Sequence, residues 1–279
     1  MMINDTLYKL ASFSTGDEGG NPAGVWIGDE LPSVERMQEI AADVGASETA
    51  FIAPTAGRHR VVRYYSPEVE VSFCGHATIA SGIILGREEG EGVYEFDTLI
   101  GTVAVTAWIQ DGQVEASLRS VDTRHEAIDD QDLREILECL HWDSDDLDLK
   151  IPPVKAYAGA WHLVIATNSA DTLARLDYQF ERLKTAMQRL DLTTLQLIYR
   201  EREDLFQSRN PFPVGGIVED PATGAAAAAL GGYLRDTGII DAPWQFRIRQ
   251  GVTIGMPSLI NVEVPEDGGI IVSGTGRDL

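Results

Sequence analysis

The pattern of hydrophobic and polar positions predicts a chain that mixes short strands with amphipathic and apolar helices. In the first part of the chain, residues 33–44 place Val34, Met37, Ile40 and Ala41 on one helical face. Ser33 precedes them as a typical N-cap, so a helix is predicted there. Alternating apolar runs bounded by turn residues predict strands at 7–14, 24–27, 49–53, 60–65, 93–97, 102–109 and 113–118.

The second part of the chain repeats this rhythm after a polar, acidic break at residues 122–132. The same rules predict helices at 129–140, 170–176 and 180–190, and strands at 154–157, 162–165, 195–199, 205–208, 246–250, 260–264 and 270–274. The domain boundary is therefore predicted near residues 119–125. The first half is expected to cover 1–120, completed by 265–279, and the second half 121–264.

Each half also contains a helix made of small and apolar residues, predicted at 75–85 and at 224–235. A helix that is apolar on every side is normally buried. The predicted fold class is therefore α+β, with two similar halves, each a curved, barrel-like sheet around a central helix.

Composition excludes several partners. The 279 residues carry a formal net charge of −22, which repels nucleic acid and anionic lipid alike. No apolar run approaches the ~20 residues of a membrane-spanning helix, and residues 1–10 lack the apolar core of a signal peptide. The two cysteines, Cys74 and Cys139, cannot form a disulfide framework, so a cytoplasmic location with reduced thiols is expected. The oligomeric state is left open, with a homodimer as one option.

No cofactor is expected either. The five histidines are scattered, and neither paired-cysteine nor helical histidine motifs for zinc occur. The glycine-rich stretches match neither the dinucleotide fingerprint nor the P-loop. The sequence therefore predicts no metal and no nucleotide.

Two helix starts are candidates for binding an anionic substrate. Gly75 opens the first apolar helix, and Thr223, Gly224 and Ala225 open the second. First-turn amides have no partner within the helix and carry the positive end of its dipole, so they bind carboxylate or enolate oxygens. The alternative is that Asp220 and Thr223 only cap the second helix.

Three side chains in the first half are candidates for chemistry. Glu48 lies among small and apolar neighbours just before a strand, which suits a general base, although a solvated surface carboxylate is the alternative. His76 is either a proton shuttle or a satisfied buried histidine. Cys74 precedes a helix start and is a candidate catalytic thiol, but packing as a small hydrophobic side chain is the favoured alternative. The matching segment 219–225 of the second half has no cysteine, which disfavours a two-thiol mechanism.

Several blocks resemble the phenazine-biosynthesis PhzF-like family in order and spacing. They are 20–25, 37–41, 47–51, 74–78, 218–224, 250–251 and 255–258, and the similarity runs from about residue 7 to residue 274. The resemblance implies a diaminopimelate-epimerase-like fold and an isomerase that moves a proton without a metal or organic cofactor. It implies that Glu48 is the acid/base residue, that His76 and Asp220 lie near the substrate, and that Gly224 is the helix-terminal glycine.

Two departures from the family pattern concern the substrate. Ala225 stands where many members have a serine, and Met256 stands where an arginine is frequent. Three functions therefore stay open: an isomerase acting on a small carboxylate-bearing substrate, an epimerase or racemase of an amino or hydroxy acid, and a silent binding protein.

Overall fold

The computed structural model describes residues 5–279. Residues 1–4, part of the segment 1–10 that was interpreted as lacking a signal peptide, lie outside the described residues. The chain divides into two compact units: residues up to Arg119 together with Ser273–Leu279, and Ser120–Val272. The chain re-enters the first unit at Ser273, later than the predicted residue 265. None of the helices in the described part of the chain is long and apolar enough to cross a membrane.

The elements of the first unit alternate strands with two helices. They are β1 (Thr6–Ser12), β2 (Asn21–Ile27), α1 (Val34–Val44), β3 (Glu48–Pro54), β4 (His59–Tyr65), β5 (Glu70–Val71), α2 (Gly75–Glu89), β6 (Gly92–Thr98), β7 (Gly101–Gln110) and β8 (Gln113–Arg119).

The second unit follows with a similar succession. Its elements are β9 (Arg124–Ala127), α3 (Asp130–Leu140), β10 (Val154–Tyr157), β11 (Trp161–Ala166), α4 (Ala170–Ala174), α5 (Phe180–Arg189), β12 (Thr194–Arg202), β13 (Leu205–Arg209), β14 (Pro211–Phe212), β15 (Ile217–Glu219), α6 (Gly224–Asp236), β16 (Trp244–Gln250) and β17 (Ser258–Val264). Two strands end the chain, β18 (Ile271–Gly274) and β19 (Gly276–Asp278).

In the first unit the sheet wraps around α2. The strands pair as β1–β2 antiparallel, β2–β3 parallel, β3–β4 antiparallel, β4–β6 parallel, then β6–β7 and β7–β8 antiparallel. Helix α2 contacts β1, β2, β3, β7 and β8, and every residue from His76 to Gly86 is buried. A Cβ built on Gly82 would lie 2.6 Å from Val105 Cγ1. The small residues of α2 are therefore required by its close approach to the strands.

The second unit repeats the same pairing order around α6. After the β9–β10 pair come β10–β11 antiparallel, β11–β12 parallel, β12–β13 antiparallel, β13–β16 parallel and β16–β17 antiparallel. Helix α6 contacts β9, β10, β11 and β17 and is buried from Ala226 to Leu234. The prediction of two similar halves, each built around an apolar helix, is confirmed.

The amphipathic helices also agree with the prediction. Ser33 caps α1 by accepting a hydrogen bond from the Arg36 amide at 3.3 Å, and Asp129 caps α3 in the same manner. Met37 and Ala41 of α1 pack with Trp26, Phe51 and Tyr65. Helices α3 and α5 cover the other face of β11 and β12, so Leu163, Ile165, Leu195 and Leu197 are buried there.

One prediction was wrong in detail. Residues 122–132 were interpreted as a polar break, whereas 124–127 form β9 and pair with β10. All four side chains of β9 are exposed, so the strand has no apolar alternation to reveal it. Backbone pairing with a neighbouring strand, rather than side-chain burial, forms this element.

Candidate active site

Glu48 is the first residue of β3. It pairs with Ala23 of the parallel strand β2, and the five residues that follow it, Thr49 to Ala53, are buried. The Glu48 side chain is 23% exposed. The carboxylate therefore lies where a buried strand reaches solvent, so it is accessible to a small molecule.

The N-terminus of α2 brings two more functional groups to this carboxylate. Cys74 is the N-cap residue with extended backbone, and His76 is in the first turn. The His76 Nε2 atom lies 3.4 Å from Glu48 Oε2, and the Cys74 thiol points at the same oxygen from 3.5 Å. Cys74 Sγ is 3.3 Å from His76 Nδ1, and Ser47 Oγ is 3.2 Å from His76 Nε2. The sequence-predicted pair Glu48 and His76 therefore forms one contiguous cluster.

This cluster has the composition of a proton-transfer site. A carboxylate can accept a proton from carbon, and an adjacent imidazole can orient that carboxylate or exchange the proton with it. Cys74 and His76 are almost buried, at 8% and 9% exposure, whereas Glu48 is more open. Among the three groups, the carboxylate is the most exposed.

Gly75 lies between Cys74 and His76 and has free space beside it. A Cβ built on Gly75 would meet no atom within 4 Å. The N-cap side chain makes no capping hydrogen bond within the described residues. The space beside Gly75 at the start of α2 is therefore open.

The second unit positions Asp220, Thr223 and Gly224 at the start of α6. Thr223 Oγ1 donates to Asp220 Oδ2 at 2.6 Å, and the Thr223 side chain makes no capping hydrogen bond to α6 in the part of the chain described. The Thr223 hydroxyl therefore bonds to the Asp220 carboxylate and not to a helix amide. Gly224 is buried and Ala225 is half-buried.

Gln250 holds this helix start in place. Its side-chain oxygen accepts from the Thr223 amide at 3.2 Å, and its nitrogen donates to the Asp220 carbonyl at 2.7 Å and to Thr223 Oγ1 at 3.0 Å. Gln250 is 1% exposed. The buried amide leaves the Asp220 carboxylate and the α6 amides in a fixed arrangement.

A buried ion pair anchors the segment before Asp220. Arg209 forms a two-point interaction with the Glu219 carboxylate and also donates to the Leu173 and Ala174 carbonyls. The Glu219 side chain is only 3% exposed. Glu219 therefore fixes the backbone and is not available to substrate.

The predicted site residues thus form two groups, one in each unit. Glu48, Gly75 and His76 lie together in the first unit, and Asp220, Thr223, Gly224 and Ala225 lie together in the second. The sequence pattern does not reveal the contacts of Cys74 and Ser47 with this cluster, nor the hydrogen bonds made by Gln250. In β16 the buried positions alternate as Phe246, Ile248 and Gln250. A polar residue at the third of these positions was the available signal for Gln250.

Comparison with known proteins decides the family. The model of the phenazine biosynthesis-like proteins (PhzC-PhzF) matches residues 10–276. The chain belongs to this PhzF-like family. It is an enzyme of the isomerase type, as its relatives are named. The family resemblance predicted from the motifs is confirmed.

Three relatives illustrate the similarity. A protein of Deinococcus radiodurans named an uncharacterized isomerase is 31% identical over 93% of this chain and 87% of its own length. The isomerase YfhB of Bacillus subtilis, likewise named uncharacterized, is 27% identical over 97% of this chain and 94% of its own. The trans-2,3-dihydro-3-hydroxyanthranilate isomerase of Pseudomonas fluorescens is 29% identical over 90% of this chain and 87% of its own.

Solved structures show the same fold. A phenazine biosynthesis protein of the PhzF family from Bacillus anthracis has a TM-score of 0.87 at 22% identity, covering 99% of this chain and 98% of its own. A hydroxyproline epimerase from Agrobacterium vitis has a TM-score of 0.66 at 14% identity, covering 100% and 92%. The predicted fold, shared between PhzF-like isomerases and epimerases, is confirmed.

Proposed function

We propose that this PhzF-like protein is a cofactor-independent isomerase that moves a proton on a small, carboxylate-bearing substrate, with Glu48 as general acid/base. Glu48 removes the proton from a carbon next to an activating group. The same carboxyl returns the proton at another position, so that no group is lost and no oxidant is needed.

The observation that carries this proposal is the Glu48 cluster. The carboxylate is the most exposed member, and His76 Nε2 lies 3.4 Å behind it. A base must reach the proton it removes, so accessibility and a fixed orientation are the geometric requirements. His76 meets the second requirement by holding one carboxylate oxygen and offering a route for the proton.

The helix starts support an anionic substrate. Negative charge develops on the substrate as the proton leaves, and fixed amide groups stabilise such charge. The first amides of α2 next to Gly75, and those of α6 next to Gly224, are suitable donors. By the same family resemblance, Asp220 and Thr223 are proposed to contact the substrate. The net charge of −22 does not oppose this, because salt screens it over about 8 Å.

The substrate itself is proposed only by class. The Pseudomonas relative is named for a dihydro-hydroxyanthranilate, which carries a carboxylate on an unsaturated ring. A small, unsaturated carboxylic acid is therefore the class proposed here. Ala225 and Met256, where family members often carry a serine and an arginine, differ in polarity and favour another member of that class.

A second candidate, an epimerase of amino or hydroxy acids, rests on Cys74. Its Sγ atom lies 3.5 Å from Glu48 Oε2, so a thiol and a carboxylate are adjacent in the first unit. Epimerisation needs a proton to leave one face of a carbon and return to the other. Because Cys74 and Glu48 lie on one side, the deprotonated substrate has to turn over between the two proton transfers.

Incubation in D₂O with a panel of small carboxylic acids tests these functions. Incorporation of deuterium with a shifted double bond and no inversion supports the isomerase. Incorporation with inversion at the labelled carbon supports the epimerase. Neither deuterium incorporation nor an isomerised product from any acid of the panel, with protein shown to be folded, would support a silent binding protein and contradict the proposal.

A further inference from the structure

Glu48, Cys74 and His76 present three different metal-binding atoms at one place. A carboxylate oxygen, a thiol sulfur and an imidazole nitrogen all lie within 4.8 Å of one another. The pairwise distances are 3.4 Å for His76 Nε2 to Glu48 Oε2, 3.5 Å for Cys74 Sγ to the same oxygen, and 3.9 Å for Cys74 Sγ to His76 Nε2.

Two of these distances correspond to edges of a tetrahedral zinc site. With Zn–S near 2.3 Å and Zn–N and Zn–O near 2.0–2.1 Å, tetrahedral angles give ligand-to-ligand distances of about 3.3–3.6 Å. Two observed distances fall in this range. The third does not, because Cys74 Sγ lies 3.9 Å from His76 Nε2 and 3.3 Å from Nδ1, so the thiol or the imidazole has to rotate before all three atoms reach one ion. Three protein ligands leave the fourth position for water or for another small ligand.

The chemistry of the ligands selects the metal. Thiolate with imidazole prefers Zn²⁺ over Mg²⁺ or Ca²⁺, which require oxygen ligands. A thiolate and a carboxylate together balance the two charges of the ion. The positive end of α2 opposes a bare cation, but the two anionic ligands contact the metal directly and dominate.

We propose that Zn²⁺ binds to Glu48, Cys74 and His76 and inhibits the enzyme reversibly. The bound ion occupies the carboxylate that must take up the proton. The inhibitory consequence rests on the proposed function of Glu48, whereas binding itself does not. Zinc is therefore an inhibitor at this site and not a cofactor.

Cobalt provides a direct probe, because thiolate–Co²⁺ complexes absorb in the near ultraviolet and tetrahedral Co²⁺ absorbs strongly in the visible. EDTA-treated, reduced protein is titrated with CoCl₂ in buffer that contains excess Mg²⁺ to saturate the acidic surface. We expect one equivalent of Co²⁺ to produce both bands, and Zn²⁺ to abolish them by displacement.

Two matched cysteine variants decide the location. Cys74→Ala should lose the thiolate band and weaken binding by at least about 100-fold, since even outer-shell partners of a metal contribute about 10–100-fold. Cys139→Ala removes the other thiol, which is buried in α3 of the second unit, and should bind Co²⁺ like the wild type. Absence of the thiolate band in the wild type, or its loss only in Cys139→Ala, would overturn the proposal.

The activity arm separates the two proposals. Deuterium incorporation that falls with Zn²⁺ and returns with EDTA supports inhibition, and activation by Zn²⁺ contradicts it. If Co²⁺ binds through Cys74 but the protein acts on no acid of the panel, the metal site is supported and the proposed isomerase is refuted. If the protein is active but shows no thiolate–Co²⁺ band, the proposed isomerase is supported and the metal site is refuted.

Discussion

Replacement of Glu48 by glutamine tests the central assignment. Glutamine has nearly the same shape but cannot accept a proton from carbon. A general base contributes about 10²–10⁴ in rate, which corresponds to about 2.7–5.4 kcal/mol in the activation free energy. We expect Glu48→Gln to lower deuterium incorporation by at least about 100-fold.

The structure predicts that this variant folds normally. Glu48 is partly exposed, and the glutamine oxygen can occupy the position 3.4 Å from His76 Nε2. Its neighbour Cys74 can donate to the same oxygen. A change at such a position should alter the free energy of unfolding by no more than about 1 kcal/mol. Urea unfolding of both proteins measures this.

A surface glutamate provides the control. Glu39 lies on α1 of the same unit, is 64% exposed and pairs with Arg36. Glu39→Gln makes the same chemical change away from the cluster and should leave the rate unchanged. A Glu48→Gln preparation with a rate within about threefold of both the wild type and Glu39→Gln would refute the assignment of Glu48.

Three further predictions follow from the same structure. Activity should survive EDTA treatment, and Cys74→Ala should retain turnover, because the proposed proton transfer uses the Glu48 carboxylate. Turnover assays of folded protein check both, and activity that EDTA abolishes and one added metal restores would contradict the expected resistance to EDTA. Gly82→Ala should lower the free energy of unfolding by about 1–3 kcal/mol, because the new methyl group would collide with Val105, whereas Gly75→Ala should fold normally and lose activity. Equal urea midpoints for Gly82→Ala and the wild type would contradict the packing argument. Burial lowers the pKa of His162 to about 3, so between about pH 6.5 and pH 3 the unfolded chain binds a proton that the folded chain does not, and the free energy of unfolding falls by about 1.4 kcal/mol per pH unit. His162→Gln should remove this part of the acid dependence in urea titrations, and an identical pH dependence of the free energy of unfolding in both proteins would disprove it.

Much of the fold could be predicted because short-range patterns determine it. The predicted helix at 33–44 and its Ser33 cap match α1, and the predicted strand at 154–157 matches β10. The two apolar helices were recognisable because a helix without a polar face has to be buried. Strand β9 was not predictable, since its side chains are all exposed and only pairing with β10 forms it.

The sequence by itself determined which residue types could perform chemistry and where helices begin. It placed Cys74, Gly75 and His76 at the start of α2, because this order is local. Only the tertiary structure decided that Glu48 contacts both side chains, since 26 residues separate Glu48 from Cys74 along the chain. The parallel pairing of β2 with β3 and the burial of α2 bring them together. Likewise, the contact of Gln250 with Thr223 spans 27 residues. Such contacts depend on long-range packing, and the three-ligand geometry at Glu48 is a consequence of that packing.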